Sequence, residues 1–415
     1  MEIYHGDIVY SKDIKNLVEY KDSYIVVQDG IVEGIYETLP ERYSNVEIID
    51  FGGDVIIPAF TDLHTHAPQY PNRGLAMDEV LANWLDKYTF PLEEKFKDET
   101  YARDVYTAFV DDMIAHGTMH AVVFGTIHNK ATDTLIDQLE RHGIMSYVGK
   151  VNMDKNSPKY LLEDTQESID KTELFLQKHI DKVYSKPILT PRFAPTCSFE
   201  LLKELGNLMA KYKVGLQTHI VESKWEKEEA KKCFDGCRCD MQIYEDAGLL
   251  EYGPTIAAHF IYPSQEDIDI LKKHNGIAVQ CADATTNVIA GIMPTGLLLD
   301  NGINIGIGSD ISAGQSLGIY IQIASAIRLS KIKSLYEKEN RVISFAEAFY
   351  LGTKQGGSIF GNVGSFEKGY YFDALVIGGL EDKYQELKPV EVVERFCYAG
   401  EVKNIKYKFL RGKEI

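Results

Sequence analysis

The sequence predicts an α/β protein: a TIM (β/α)8 barrel over residues 58–365, joined to a small composite β-sandwich built from both chain termini, residues 1–57 and 366–415. Three observations predict it. Eight apolar, β-branched runs in the middle of the chain alternate with amphipathic segments, the pattern of repeated strand–helix units. The first ~55 and last ~50 residues read instead as short strands separated by turns. No repeat or low-complexity linker breaks the middle, so one barrel, a fold that typically uses ~250 residues, accounts for it.

At the N-terminal end the strands are "EIYHGDIVY", "SYIVVQDGIVEGIY" and "NVEIIDFGGDVIIP", with Asp29-Gly30 as a hairpin turn. The barrel strands are "VIIPAFTDLHTH", "TMHAVVFG", "MSYVGKVNM", "PILTPRFAP", "GLQTHIVE", "TIAAHFIY", "GIAVQCA" and "NIGIGSD". Helical segments between them include "ETYARDVYTAFVDDMIAHG" and "SQEDIDILKKHNG", the latter with Ser264 as N-cap. After the eighth strand, "SFAEAFYLGTKQGG" carries Ser344 and Glu347 at capping-box spacing. The chain then returns to strands in "DALVIGG", "VVERFCYAG" and "VKNIKYKFLRGKEI".

Composition narrows the function. The 415 residues include 44 basic and 62 acidic side chains, a net charge of −18. Such a surface repels phosphate backbones and anionic lipid, which argues against a polymeric nucleic acid partner. No run of about 18 apolar residues occurs, and the N-terminal stretch lacks the basic and apolar regions of a signal peptide. The expectation is therefore a protein with no membrane span. Six cysteines in a chain of this length fit reduced thiols and a cytoplasmic location. Three of them, Cys233, Cys237 and Cys239, have a spacing unlike that of a zinc ribbon and are read as ordinary residues around a helix-to-helix joint.

The chemistry gathers at the C-terminal ends of the strands, where barrel active sites sit. His64 and His66 are i and i+2 on the first strand and share a face. The fifth strand ends with His219 and Glu222, the sixth with His259 and the eighth with Asp310. Any one buried histidine is unremarkable as packing; this whole set at matching strand ends is not. Burying so many polar groups costs several kcal/mol unless they are paired or bind a metal. The nitrogen and oxygen donors of His64, His66, His219 and Asp310 suit one divalent cation, zinc or iron(II), with a position left for water. His259 is placed to hydrogen-bond the activated water, and Glu222 to carry a proton to a substrate nitrogen.

These residues resemble the amidohydrolase superfamily, whose pattern is H-x-H on strand one, His on strands five and six, and Asp on strand eight. The segment "HIVE" is similar to its mononuclear deaminase branch. As a set, "HTHAPQYPNRG", "WLDKYTFPLE", "VGKVNMD", "TPRF" and "HIVES" resemble the guanine deaminase family within it. The resemblance implies hydrolytic deamination of guanine to xanthine and ammonia, with a purine base as partner and a homodimer as assembly. It implies that Gln69, Arg192 and Phe193 line the purine pocket, with His66, His219, Glu222 and Asp310 also at the substrate. Asp310 would accept the proton of the activated water that attacks C2. Glu222 would protonate the ring nitrogen and then the departing amine, and His259 would stabilise the tetrahedral intermediate. Trp84 and Tyr88, at i and i+4, fit packing or a lid. Lys150, the one barrel lysine to weigh as a bridging ligand of a binuclear site, reads as a structural residue.

One segment departs from that pattern. Strand seven keeps only Cys281 of a His-Cys-Pro-x-Ser-Asn loop, with Asp283 either replacing a polar contact there or solvated. This leaves other heterocycles open as substrates: 8-oxoguanine, a pterin, cytosine or a triazine. A binuclear amide-ring hydrolase and a non-catalytic scaffold of the same fold are the more distant alternatives.

Overall fold

The computed structural model describes residues 1–380, 382 and 384–415. Both chain ends meet in one seven-stranded sheet. Its strands are β1 (Glu2–Ser11), β2 (Leu17–Gln28), β3 (Ile31–Tyr36), β4 (Ile48–Pro58), β15 (Ala374–Ile377), β16 (Ile405–Leu410) and β17 (Lys413–Glu414), in the order β17-β16-β15-β4-β1-β2-β3. The turn between β2 and β3 places Asp29 and Gly30 at φ +52° and +79°, the left-handed region that a two-residue hairpin demands. Tyr4 on β1 and Phe409 on β16 are separated by two strands, yet their ring centroids lie 5.0 Å apart. Three strand spacings in a flat sheet would be about 14 Å. The sheet therefore curls around a core that includes Tyr4, Ile25, Phe372 and Phe409.

The middle of the chain supplies two four-stranded parallel sheets. One holds β5 (Phe60–His66), β6 (Thr118–Phe124), β7 (Met145–Gly149) and β9 (Ser185–Pro187); the other holds β11 (Leu216–Ile220), β12 (Thr255–His259), β13 (Ile277–Gln280) and β14 (Asn304–Ile307). A two-stranded piece, β8 (Val151–Asn152) with β10 (Thr190–Pro191), lies beyond the first sheet's ends. Two seams connect the four-stranded sheets. At one, Leu189 and Leu216 form a parallel bridge. At the other, the Asp310 N–H donates to the His64 carbonyl at 2.8 Å, and the His66 N–H to the Ile311 carbonyl at 3.1 Å. The largest apolar core runs through these strands and the helices around them.

The helix starts follow their local signals. Asp98 caps Glu99–Ala115, and capping boxes at Ser264 and Ser344 open Gln265–Lys273 and Phe345–Tyr350.

Several expected strands differ, among them "MSYVGKVNM", which is interrupted at Lys150 between β7 and β8. The run "VIIPAFTDLHTH" is divided at Ala59, where the chain leaves the terminal sheet for the parallel one: the Ala59 N–H reaches Asp373 and the Phe60 N–H reaches Gly117. "PILTPRFAP" is divided into β9 and β10, because Pro187 and Pro191 offer no N–H to continue a ladder. "VVERFCYAG" is not a strand but the end of a helix, Pro389–Ala399. Proline at its first position and burial of Val392, Val393, Phe396 and Cys397 are helical signals that β-branched content had masked.

Candidate active site

β5 is buried along its whole length, and although its pairing with β6 shifts register after Phe60 and between Asp62 and Thr65, His64 and His66, two apart, turn to one face at its end. Asp62 anchors this face to β14: it accepts from the Ser309 N–H at 3.0 Å, the His64 N–H at 3.1 Å and the Ser309 hydroxyl. Burial pushes its carboxyl up to about 7 against those hydrogen bonds. Gly308 allows the approach, since a Cβ there would meet the His64 Cβ and carbonyl oxygen at 2.9 Å each. The backbone is held in left-handed conformations at Val221 (φ +48°), His259 (+74°), Phe260 (+47°) and Asp310 (+47°). Strain of ~1–3 kcal/mol per residue collects where the surrounding structure fixes a functional geometry.

Four histidines and two carboxylates converge there. The Nε2 atoms of His66 and His219 are 3.0 Å apart. Asp310 Oδ1 lies 3.3 Å from His64 Nε2 and 3.5 Å from His66 Nε2. His259 Nε2 is 3.8 Å from Glu222 Oε1 and 3.9 Å from Asp310 Oδ2. His64, His66 and His219 form one group able to hold a metal ion, and His64, His259 and Asp310 another. At metal–nitrogen distances of ~2.0–2.1 Å, two ligand nitrogens lie about 3–3.4 Å from each other, which fits this spacing. His219 Nδ1 meets the Arg192 carbonyl at 2.6 Å. A proton held there leaves the Nε2 lone pair free to coordinate. Both nitrogens of His64 are buried without a hydrogen-bond partner. Such orphaned groups are costly in a protein interior and fit a site built for a cation.

The electrostatics agree. Burial, reinforced by the Arg192 charge, pushes His64 down to about 3; burial and the neighbouring histidines hold His66 well below the usual range. Burial likewise lowers His219 and His259. Neutral imidazole is the form that ligates. Glu222 moves the other way: burial, then the Asp310 and Glu226 charges, raise it well above an ordinary carboxyl. Burial therefore favours the protonated acid, the form able to give a proton.

A cleft opens over this cluster, lined by His66, His219, Glu222, His259 and Asp310 together with Gln69, Arg192 and Phe193. Of the nine residues singled out from the sequence, eight line the cleft and His64 lies buried beneath it. Trp84 belongs to the wall, whereas Tyr88 is exposed and does not line it.

The sequence does not single out Leu81, Leu85, Ser223, Trp225, Glu226 or Ala313 in the lining, nor Glu93 beside it. Trp225, half-exposed at the rim, has its ring centroid 6.2 Å from that of Phe193. Glu93 accepts from both Gln69 and Arg192. Nothing in local periodicity distinguishes either one; each becomes visible only when distant segments meet.

Asp283 does not line the cleft; partly exposed, it accepts from the side chains of Gln315 and Gln322 at 2.8 and 2.9 Å. Lys150 is fully buried and ion-paired with Glu163. The three clustered cysteines are free thiols between helices Lys224–Cys233 and Asp240–Asp246. Among the described residues, they do not form a group able to hold a metal.

Comparison with known proteins bears on the whole chain. The amidohydrolase family matches residues 55–415. Guanine deaminase of Dictyostelium discoideum is 31% identical over 446 aligned positions, covering 100% of this chain and 98% of that one. A crystal structure of guanine deaminase from C. acetobutylicum, with guanine bound in its active site, superposes with a TM-score of 0.97 at 42% identity, over 100% and 99% of the two chains. E. coli guanine deaminase superposes with a TM-score of 0.89 at 25% identity, over 100% and 99%. The chain belongs to the amidohydrolase family, among its guanine deaminases.

Proposed function

We propose that this protein hydrolyses guanine to xanthine and ammonia in the cleft at the strand ends. One observation carries the reading: a cluster of metal-competent donors and the buried carboxyl of Glu222 share a cleft with an amide, a guanidinium and aromatic rings suited to a purine. A divalent cation held by His64, His66, His219 and Asp310, zinc or iron(II) by donor type, would supply an acidified water.

The chain's own residues do the rest. Gln69 and Arg192 hydrogen-bond the purine edge and Phe193 packs on its face, with Trp84 and Trp225 excluding bulk water. Asp310 takes the proton released as water attacks C2. Glu222 delivers its proton to the adjacent ring nitrogen and then carries one to the departing amine, so that guanine and water leave as xanthine and ammonia. His259, within 3.9 Å of both carboxylates, hydrogen-bonds the attacking oxygen.

The same reading extends to architecture. The two seams support joining the parallel sheets into one (β/α)8 barrel over residues 58–365, with the curled terminal sheet as the composite sandwich of 1–57 and 366–415. Among the described residues, no helix is long and apolar enough to cross a membrane. Six free cysteines support a reducing compartment such as the cytoplasm.

The test is ammonia release from guanine, adenine, 8-oxoguanine and cytosine, with metal content measured on the same preparation. Guanine should be the preferred substrate at about one divalent ion per chain. Preference for another base, or two metals per chain, would overturn the reading.

A further inference from the structure

We infer that Glu93 is a positioning residue for substrate selection, fixing the Gln69 amide and the Arg192 guanidinium in the arrangement that reads the purine edge. The inference rests on the guanine reading above. Glu93 ends the short helix Phe90–Glu93 and is 2% exposed. Its two oxygens are divided between the two recognition side chains: Oε1 accepts from Gln69 Nε2 at 3.0 Å, and Oε2 accepts from Arg192 Nη1 at 2.7 Å.

An ionised carboxylate only accepts hydrogen bonds, so each neighbour has to turn a donor toward it. Arg192 carries donors alone and has no alternative. Gln69 has one, because its amide can flip. The flipped form would set Oε1 against the carboxylate, oxygen to oxygen. The opposite side of the amide imposes the same choice: Gln69 Oε1 accepts from the Ser312 N–H at 3.3 Å, where a flipped NH2 would face another donor. One carboxylate and one backbone N–H thus leave a single orientation. Arg192 is constrained as well, with its guanidinium carbon 5.1 Å from the Phe90 ring centroid. It is buried, and Glu93 is its ion-pair partner, which a buried cation needs.

The consequence is selectivity. On its six-membered ring guanine presents a carbonyl acceptor beside a ring N–H donor, whereas adenine presents an amino donor beside a ring-nitrogen acceptor. A freely flipping amide can satisfy both. A fixed one, beside a guanidinium that can only donate, matches the guanine pattern and leaves unpaired polar groups against adenine.

The experiment compares wild type, Glu93→Gln and Glu93→Asp as metal-loaded enzymes. Glu93→Gln keeps the volume but lets the new amide pair with either orientation of Gln69. The expected result is a KM for guanine raised about tenfold or more with kcat within about threefold, the signature of lost binding that is equal in ground and transition states. Adenine, which has no amino group at C2 and can only occupy the site, should inhibit with a constant closer to the guanine KM than in wild type; metal content should match wild type, and Glu93→Asp should recover part of the KM. A KM within twofold of wild type, or a fall in kcat at unchanged KM, overturns the assignment, because a residue that only maintains the fold lowers the active fraction. Should Glu93→Gln not fold, Glu93→Asp carries the same KM criterion, with a rise of severalfold expected. Wild-type protein inert toward guanine overturns the parent reading as well; active wild type with an unmoved KM overturns the Glu93 assignment alone.

Discussion

The two ends of β6 carry buried histidine chemistry of opposite kinds. Near its start, His120 is fully buried, with Nε2 meeting Asp373 at 2.9 Å and Nδ1 meeting the Thr61 hydroxyl at 3.4 Å. Asp373 in turn accepts the Arg411 N–H at 2.6 Å. Every polar atom of that ring has a neighbour, and the pair fastens the parallel strands to the terminal sheet. At the other end, the Phe124 ring lies 5.1, 4.5 and 4.7 Å from the rings of His64, His66 and His219. Here the Nε2 atoms of His66 and His219 face one another and both nitrogens of His64 have no hydrogen-bond partner, while His219 Nδ1 alone is tied to the Arg192 carbonyl. His120 and His64 are equally buried, and saturation is what separates them. A histidine with both nitrogens satisfied is architecture, and several with converging free lone pairs make a site.

That contrast can be broken by substitution at either end. The largest effect is expected for His219→Ala, which should lose metal and lower guanine turnover by about 10³-fold or more, checked by metal analysis and ammonia release. The matching change at the other end, His120→Gln, strands a buried carboxylate. It should lower unfolding free energy by about 3 kcal/mol in denaturant titration, with turnover per folded molecule unchanged. Loss of turnover without loss of stability there would erase the distinction between the two ends. Arg192→Lys keeps the charge but not the planar fork, and should raise the guanine KM about tenfold with metal retained. Smallest of all, Cys233→Ser should leave metal content and kcat/KM within about twofold of wild type, since this exposed thiol shares no metal group with its neighbours.

The sequence carried the chemistry further than the architecture. His64, His66, His219, Glu222, His259 and Asp310 were legible because strand periodicity and strand-end position follow from short segments, and barrel sites form at those ends. Glu93 and Trp225 were not, since their roles arise from contacts 99 positions away in one case and across the cleft rim in the other. The helix Pro389–Ala399 reads as strand in the sequence because Val392 and Val393 favour strands, and only the buried spacing of the finished helix decides. Asp283 shows the same limit: nothing local tells that this partly exposed residue of the helix Ala282–Asn287 accepts from Gln315 and Gln322.

Under the proposed function, one cleft separates holding the metal from moving the proton, with Glu222 performing only the second task. Glu222→Gln removes the transferable proton while keeping size and polarity. Measured side by side with wild type, it should retain about one divalent ion per chain while ammonia release from guanine falls by about 10³-fold or more. Turnover near the wild-type rate, or loss of the metal together with activity, would contradict that division of labour.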